Sequence, residues 1–267
     1  MPIPGLPAAP SPLIDTNVSL GTWPFRRVPG DTPSELVARL RGQQVEQAWV
    51  GSLDGLFHRD LAAVNARLAD DCRRHGDGWF VPFGSINPLL PDWEEDLRRC
   101  HEEHRMPGIR LHPNYHGYKL DDPLFARVLD DATKRGRLVQ LVVSMEDERT
   151  QPRLAQVPHV DLAPLTELVK ARPQLRLMVL NAFRGSSIDK IAPLVAAGRV
   201  WADVAMLESV GGVEKLAAKI SYERVVFGSH FPLFYWESAR LKLQESRLDE
   251  SQFKRIAREN AKQALAG

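Results

Sequence analysis

The chain has 267 residues, 43% hydrophobic and 26% charged, with 35 basic residues against 34 acidic ones and a formal net charge of +1. A balance this close to neutrality leaves no electrostatic footprint for nucleic acid, and no long run of like charge creates one locally. No apolar stretch approaches the roughly 18 residues that a membrane span requires, and a chain of this length folds without a disulfide or a structural metal.

Residues 1–12 are rich in proline and alanine and lack a charged start followed by an apolar run, so they read as a loose tail rather than a signal peptide. A cytoplasmic protein is the expectation. Residues 13–267 read as one domain. Within it, short apolar runs fall at 13–17, 47–52, 79–86, 108–112, 138–144, 176–181, 200–205 and 224–229. Several are too continuously apolar to have a wet face, as expected of parallel strands covered by helices. Amphipathic segments lie between them. Leu61, Val64 and Leu68 share one helical face; Leu124, Phe125, Val128, Leu129 and Ala132 share another, with Gly136 as its stop signal. Pro91 and Asp92 open a helix, Pro164 sits in the first turn of the next, and Ser186 or Ser187 caps a further one. A last helix, 250–265, turns Phe253, Ile256, Ala257, Ala261 and Leu265 inward. Cys72 and Cys100 fall within helical patterns and read as small apolar groups.

Eight strand–helix alternations without a break in composition predict an α/β fold of the (β/α)8 TIM-barrel type. Asn17-Val-Ser-Leu-Gly21 lacks the glycines of a phosphate-binding turn, which argues against a dinucleotide fold. In such a barrel the site lies at the C-terminal strand ends. Strand one ends in Asp15, Thr16 and Asn17. Strand four ends in Arg110 and His112, followed by Asn114, Tyr115, His116 and Tyr118. Strand five ends at Ser144, followed by Glu146, Asp147 and Arg149. Strand six ends at Asn181, and strand eight runs into Gly228-Ser-His-Phe-Pro232.

Four segments resemble the amidohydrolase superfamily, in its amidohydrolase 2 branch related to aminocarboxymuconate semialdehyde decarboxylase. They are Pro12-Leu-Ile-Asp-Thr-Asn17, Gly108-Ile-Arg-Leu-His-Pro113, Val225-Val-Phe-Gly-Ser-His-Phe-Pro232 and Ile256-Ala-Arg-Glu-Asn-Ala261. The last resembles a terminal helix in which an Asn-Ala pair closes the barrel. Metal-dependent members use His-x-His on strand one, histidines on strands five and six, and an aspartate on strand eight. Here those positions are matched by Asp15 and Asn17, then Ser144, Asn181 and His230. Serine and neutral amides are poor zinc ligands, so the expectation is a barrel without a cofactor. Two arrangements remain open. Either Asp15 and His230 pair directly in place of the metal, or with His112 or His116 they form a two-histidine, one-carboxylate set for zinc or a similar divalent ion.

The resemblance implies a hydrolase, or a related lyase or decarboxylase, for a small polar, carboxylated or cyclic substrate. It also implies a homodimer as the oligomer to look for. Asp15, His230, His112 and Asp147 are the candidate catalytic groups; Asn17, Arg110, Asn114, His116, Tyr118, Ser144, Arg149 and Asn181 are candidate substrate contacts. Arg110 and His112 alternate to one side of their strand. Asp147 and Arg149 read equally as a base with a carboxylate clamp and as a solvated loop pair. The alternative function is a barrel that has lost catalysis and binds a metabolite or a partner protein.

Overall fold

The computed structural model describes residues 12–149, 151–153 and 156–266. All but the last residue of the expected tail lies outside the described residues. Eight parallel strands are described, in the order of the sequence: β1 (Leu13–Leu20), β2 (Val45–Ser52), β3 (Phe80–Ser85), β4 (Gly108–Leu111), β5 (Leu138–Val142), β6 (Arg176–Leu180), β7 (Arg199–Asp203) and β8 (Val225–Val226). The helices that follow them are α1 (Pro33–Arg41), α2 (Leu61–Gly76), α3 (Trp93–Glu102), α4 (Pro113–His116), α5 (Pro123–Lys134), α6 (Leu165–Lys170), α7 (Ile188–Ala196), α8 (Gly212–Ile220), α9 (Trp236–Gln244), α10 (Glu250–Lys254) and α11 (Asn260–Ala266). The expected (β/α)8 barrel is the fold observed.

Side-chain alternation sorts the strands into two layers. Ile14, Trp49, Phe83, Leu138, Val142, Met178, Leu180, Trp201 and Val226 fill the barrel interior. Leu13, Val50, Ile109, Leu141, Val179, Val200 and Phe227 face outward and pack under the helices. The helix starts follow the chemistry of orphan N–H groups: Thr32, Asp60 and Asp122 accept from backbone N–H groups at the heads of α1, α2 and α5. Asp249 and Gln252 form a reciprocal capping box on α10. Asp92 and Ser187 occupy the cap positions of α3 and α7, without a side-chain cap bond. Gly136 takes a left-handed φ of 62° just beyond α5, as its stop signal predicts.

Strand eight is shorter than the 224–229 run suggests. After Val226 the chain leaves the β7 ladder and turns to β1. Thr16 N donates to Phe227 O at 3.0 Å, His230 N to Asn17 O at 2.8 Å and Ser19 N to Phe231 O at 2.9 Å. These bonds close the barrel. The terminal helix secures the seam: Asn260 Nδ2 donates to Tyr222 O and Val225 O at 2.6 and 2.7 Å, and Phe227 N donates to Ile256 O at 3.0 Å. Ile256 lies in a π turn, Arg255–Glu259, that joins α10 to α11.

One irregularity shapes the site. β1 pairs Asp15 with Ala48 but Val18 with Val50, so β1 carries one more residue than β2 across that interval. Such a bulge withdraws backbone groups from the ladder and re-aims side chains. Cys72 and Cys100 are buried free thiols, with burial pushing both up to about 12. Among the described residues no helix is long and apolar enough to cross a membrane.

Candidate active site

The β1 bulge turns the carbonyls of Thr16 and Val18 toward the barrel axis, where the Arg110 side chain meets them. Arg110 Nη1 donates to Val18 O at 2.7 Å; Nη2 donates to Trp49 O at 3.1 Å and Thr16 O at 3.4 Å; Nε donates to Gln140 Oε1 at 2.8 Å. Burial lowers this guanidinium to about 9, which leaves it charged at neutral pH. A side chain at Gly51 would put its Cβ 2.8 Å from Arg110 Cδ, so glycine there is a packing requirement. Arg110 is thus a brace with its donors engaged, not the ligand-binding cation expected.

Beside Arg110 lies a network whose side chains come from β1, β7 and the turns after β6 and β8, with a carbonyl from the turn after β5. Asn17 Nδ2 donates to Asp203 Oδ2 and to Asn181 Oδ1, both at 2.7 Å. Asn181 N donates to Asp203 Oδ1 at 2.9 Å, and its Nδ2 donates to Ser144 O at 2.8 Å and reaches His230 Nδ1 at 3.2 Å. Left-handed φ values of 58° at Asn181 and 59° at His230 bend the chain at these strand ends. His230 Nε2 lies 2.6 Å from Met145 O. A carbonyl only accepts, so Nε2 carries the proton and Nδ1 accepts from Asn181. Burial lowers His230 to about 4, so the imidazole is neutral.

Asp203 was not among the expected site residues. Burial pushes its carboxyl up to about 7 against the pull of the Asn17 and Asn181 hydrogen bonds. Gly228 approaches so closely that a Cβ there would stand 2.8 Å from Asp203 Oδ2. The sequence held one signal for it, a lone acid inside the apolar run Val200-Trp-Ala-Asp-Val-Ala205.

Asp15 does not join this network. Ile14 belongs to the interior, so alternation turns Asp15 outward. Its Oδ1 accepts from Ser229 N at 2.9 Å and Asn17 N at 3.2 Å, and its Oδ2 accepts from Trp236 Nε1 of α9 at 3.0 Å. Burial raises it to about 6. Neither arrangement left open for Asp15 and His230 is formed: their polar atoms are committed to different partners, and Asp15, His112 and His230 do not converge as a metal set.

The remaining expected contacts separate by place. His112 caps α4, fully buried, with burial holding its imidazole well below the usual histidine range. His116 Nε2 lies 2.8 Å from Gly55 O, and burial lowers it too. Asn114 Nδ2 donates to Pro158 O at 3.0 Å and Val143 O at 3.4 Å, which ties α4 to the loop beyond β5. Ser144 Oγ donates to Glu146 O at 3.4 Å, so its contribution to the network is its carbonyl. Tyr118 belongs to the outer core and stacks on Phe125 at 6.0 Å, away from the axis. Asp147, expected as a base, is lowered to about 2 by its hydrogen bonds with Arg149 and by the Arg184 charge, which makes it too weakly basic for that role. Arg149 is exposed and pairs with Asp147 on the rim, the solvated-pair reading.

An aromatic cap lies over the mouth. Trp23 is buried and touches Phe25, Phe57 and Tyr115, with ring centroids 5.4, 5.7 and 6.2 Å away. Arg26 Nε donates to Glu146 Oε1 at 2.8 Å and Arg26 Nη2 to Leu233 O at 2.8 Å, latching this loop across the mouth.

A metal fits this donor set poorly. The network's side chains are two neutral amides, one carboxyl already accepting two hydrogen bonds, and one imidazole with both nitrogens engaged, and His112 adds one unbonded imidazole beside them. Among the described residues no three His, Cys, Asp or Glu side chains group closely enough to hold a metal ion.

Solved structures share the fold. 2,6-Dihydroxybenzoate decarboxylase from Rhizobium matches with a TM-score of 0.73 at 13% identity, covering 96% of this chain and 99% of that one. 5-Carboxyvanillate decarboxylase from Novosphingobium aromaticivorans, with bound manganese and 4-hydroxy-3-methoxy-5-nitrobenzoic acid, matches with a TM-score of 0.73 at 14% identity, covering 97% of each chain. Dihydroxybenzoic acid decarboxylase from Polaromonas, with bound manganese and 2-nitroresorcinol, matches with a TM-score of 0.73 at 11% identity, covering 96% of this chain and 97% of that one. The manganese in these two structures overturns the expectation that a barrel of this kind works without a cofactor. No curated protein matches the chain. The Amidohydrolase family model matches residues 26–266, and the chain belongs to that family.

Proposed function

We propose that this protein is a lyase that releases carbon dioxide from a small carboxylated ring compound at the barrel mouth, with Asp203 as the proton donor. The observation that carries this reading is a carboxyl on the barrel axis raised to about 7, so that a large share of it holds its proton at neutral pH. Loss of carbon dioxide leaves the bonding pair on the ring carbon. Asp203 then transfers its proton to that carbon, a C–H bond forms, and the carboxylate is reprotonated from water. Asn17 and Asn181 hold Asp203 in place by donating to its two oxygens, and His230, neutral, fixes Asn181. The similarity in fold to aromatic acid decarboxylases supports the substrate class. Manganese, bound in two solved structures of this fold, finds no matching donor set among the described residues.

The test is a panel of hydroxybenzoates and carboxylated methoxyphenols in D2O, with and without added manganese. Carbon dioxide release with one deuterium at the vacated ring carbon is expected. Water uptake into a product, or no release from any compound in either arm, contradicts the reading. The second reading is a metabolite-binding barrel without turnover, and the burial of Asn17, Asn181, Asp203 and His230 favours it. It gives binding and no carbon dioxide.

A further inference from the structure

Buried polar groups in folded proteins have hydrogen-bond partners, and each exception needs a physical reason. At the barrel mouth almost every such group is satisfied internally. Arg110 is taken by three carbonyls and Gln140, and Asn17, Asn181, Asp203 and His230 satisfy one another. Of the exceptions there, His112 is the imidazole with neither nitrogen bonded. Its Nδ1 is buried without a partner, and no hydrogen bond to its ring forms among the described residues. Nε2 of the neighbouring His116 lies 2.8 Å from Gly55 O while its Nδ1 is also buried without a partner, and the two rings meet at 73° with centroids 6.1 Å apart.

Another unpartnered atom borders the same turn. Trp23 Nε1 is buried without a partner, and its ring packs on Tyr115 of α4, the short helix that begins after His112. Unpartnered atoms on His112, His116 and Trp23 around one turn mark a place where hydrogen-bonding capacity is held for something other than the chain.

We propose that His112 is the specificity-determining contact of the mouth, taking a neutral hydroxyl group on the ligand. This rests on the mouth being the ligand site, as argued above. A neutral imidazole offers one N–H and one lone pair, the complement of a hydroxyl, which both donates and accepts. Burial and the neighbouring Arg110, His116 and His230 keep this ring uncharged. A carboxylate would meet no cation on it, so the ring selects the hydroxyl instead.

The experiment uses the full chain and two probes of the same skeleton, salicylate and benzoate, with affinities measured by calorimetry. The wild type is expected to bind salicylate about tenfold more tightly, the effect of one net hydrogen bond. His112→Leu equalises the two affinities, and His112→Gln, which retains a donor and an acceptor, keeps the preference. Thermal melts of both variants establish that they are folded. Equal affinities in the wild type, a preference that survives in His112→Leu, or no binding of either probe overturns the proposal. Carbon dioxide release is scored separately, so a failure here leaves the lyase reading to be judged on its own assay.

Discussion

Asp15 and Asp203 are both fully buried carboxyl groups near the seam of the barrel, and they do opposite work. Asp15 faces outward and accepts from the backbone of Ser229 and Asn17 and from the indole of Trp236, so it joins β1 to the chain after β8 and to α9. Asp203 faces the axis and accepts from Asn17 and from the backbone of Asn181, groups that belong to the mouth itself. Burial raises both, to about 6 and about 7. A raised carboxyl is therefore no mark of chemistry by itself; the direction it faces decides whether its proton can reach a ligand.

The largest expected effect tests the brace beneath Asp203. Arg110→Met strips the carbonyls of Val18 and Trp49 and the amide oxygen of Gln140 of their arginine donors in the interior, while Thr16 O keeps its bond from Gln140 Nε2, a loss of about 4 kcal/mol or more, read by chemical denaturation. Stability unchanged to within about 1 kcal/mol would show that the bulged strand holds itself. The carboxyls are then compared directly. Asp203→Asn is expected to lower turnover at least about 100-fold, since it removes the proton donor. Asp15→Asn, which sets an amide N–H against the Trp236 N–H or a backbone N–H, costs about 2 kcal/mol of stability and leaves the turnover of the folded fraction intact. Reversal of these two outcomes would exchange the assigned roles. The pH dependence carries the same contrast. Between its ordinary value of 3.8 and its folded value of about 7, Asp203 binds a proton in the folded state that the unfolded state has released. Its contribution to stability is present below that window and is lost as pH rises through about 7, and Asp203→Asn removes that slope. The smallest effect belongs to the latch. Arg26→Ala breaks a pair whose arginine is 40% exposed but whose Glu146 carboxylate is 2% exposed, and about 1–2 kcal/mol of stability is at stake. Acrylamide quenching of Trp23 should nevertheless rise as the cap loosens.

The barrel was legible because parallel strands buried on both faces must be apolar throughout, and the runs ending at Asn17, His112, Ser144 and Asn181 show this. Asn260 too was readable, as the terminal-helix pair whose amide now holds Tyr222 O and Val225 O. The site was only partly legible. Asn17, Asn181 and His230 do converge, but the β1 bulge cannot be read from Asp15-Thr-Asn17, and with a regular strand assumed, Asp15 takes the place that belongs to Asp203. Asn181 and His230 are of the types that tolerate left-handed turns, but nothing in their neighbours marks these two positions for one. Nor does sequence alone show that Asn17 and Asp203, 186 positions apart, share a hydrogen bond of 2.7 Å. The capping role of Trp23 depends on a loop path that composition does not dictate.

The axial carboxyl of Asp203 holds its proton in a large share of molecules at neutral pH. A carboxyl-carbon NMR titration, with the signal assigned by its loss in Asp203→Asn, measures this directly. A midpoint near 7 is expected; a midpoint near 4, the range of an exposed aspartate, would contradict the account and leave the mouth without its acid.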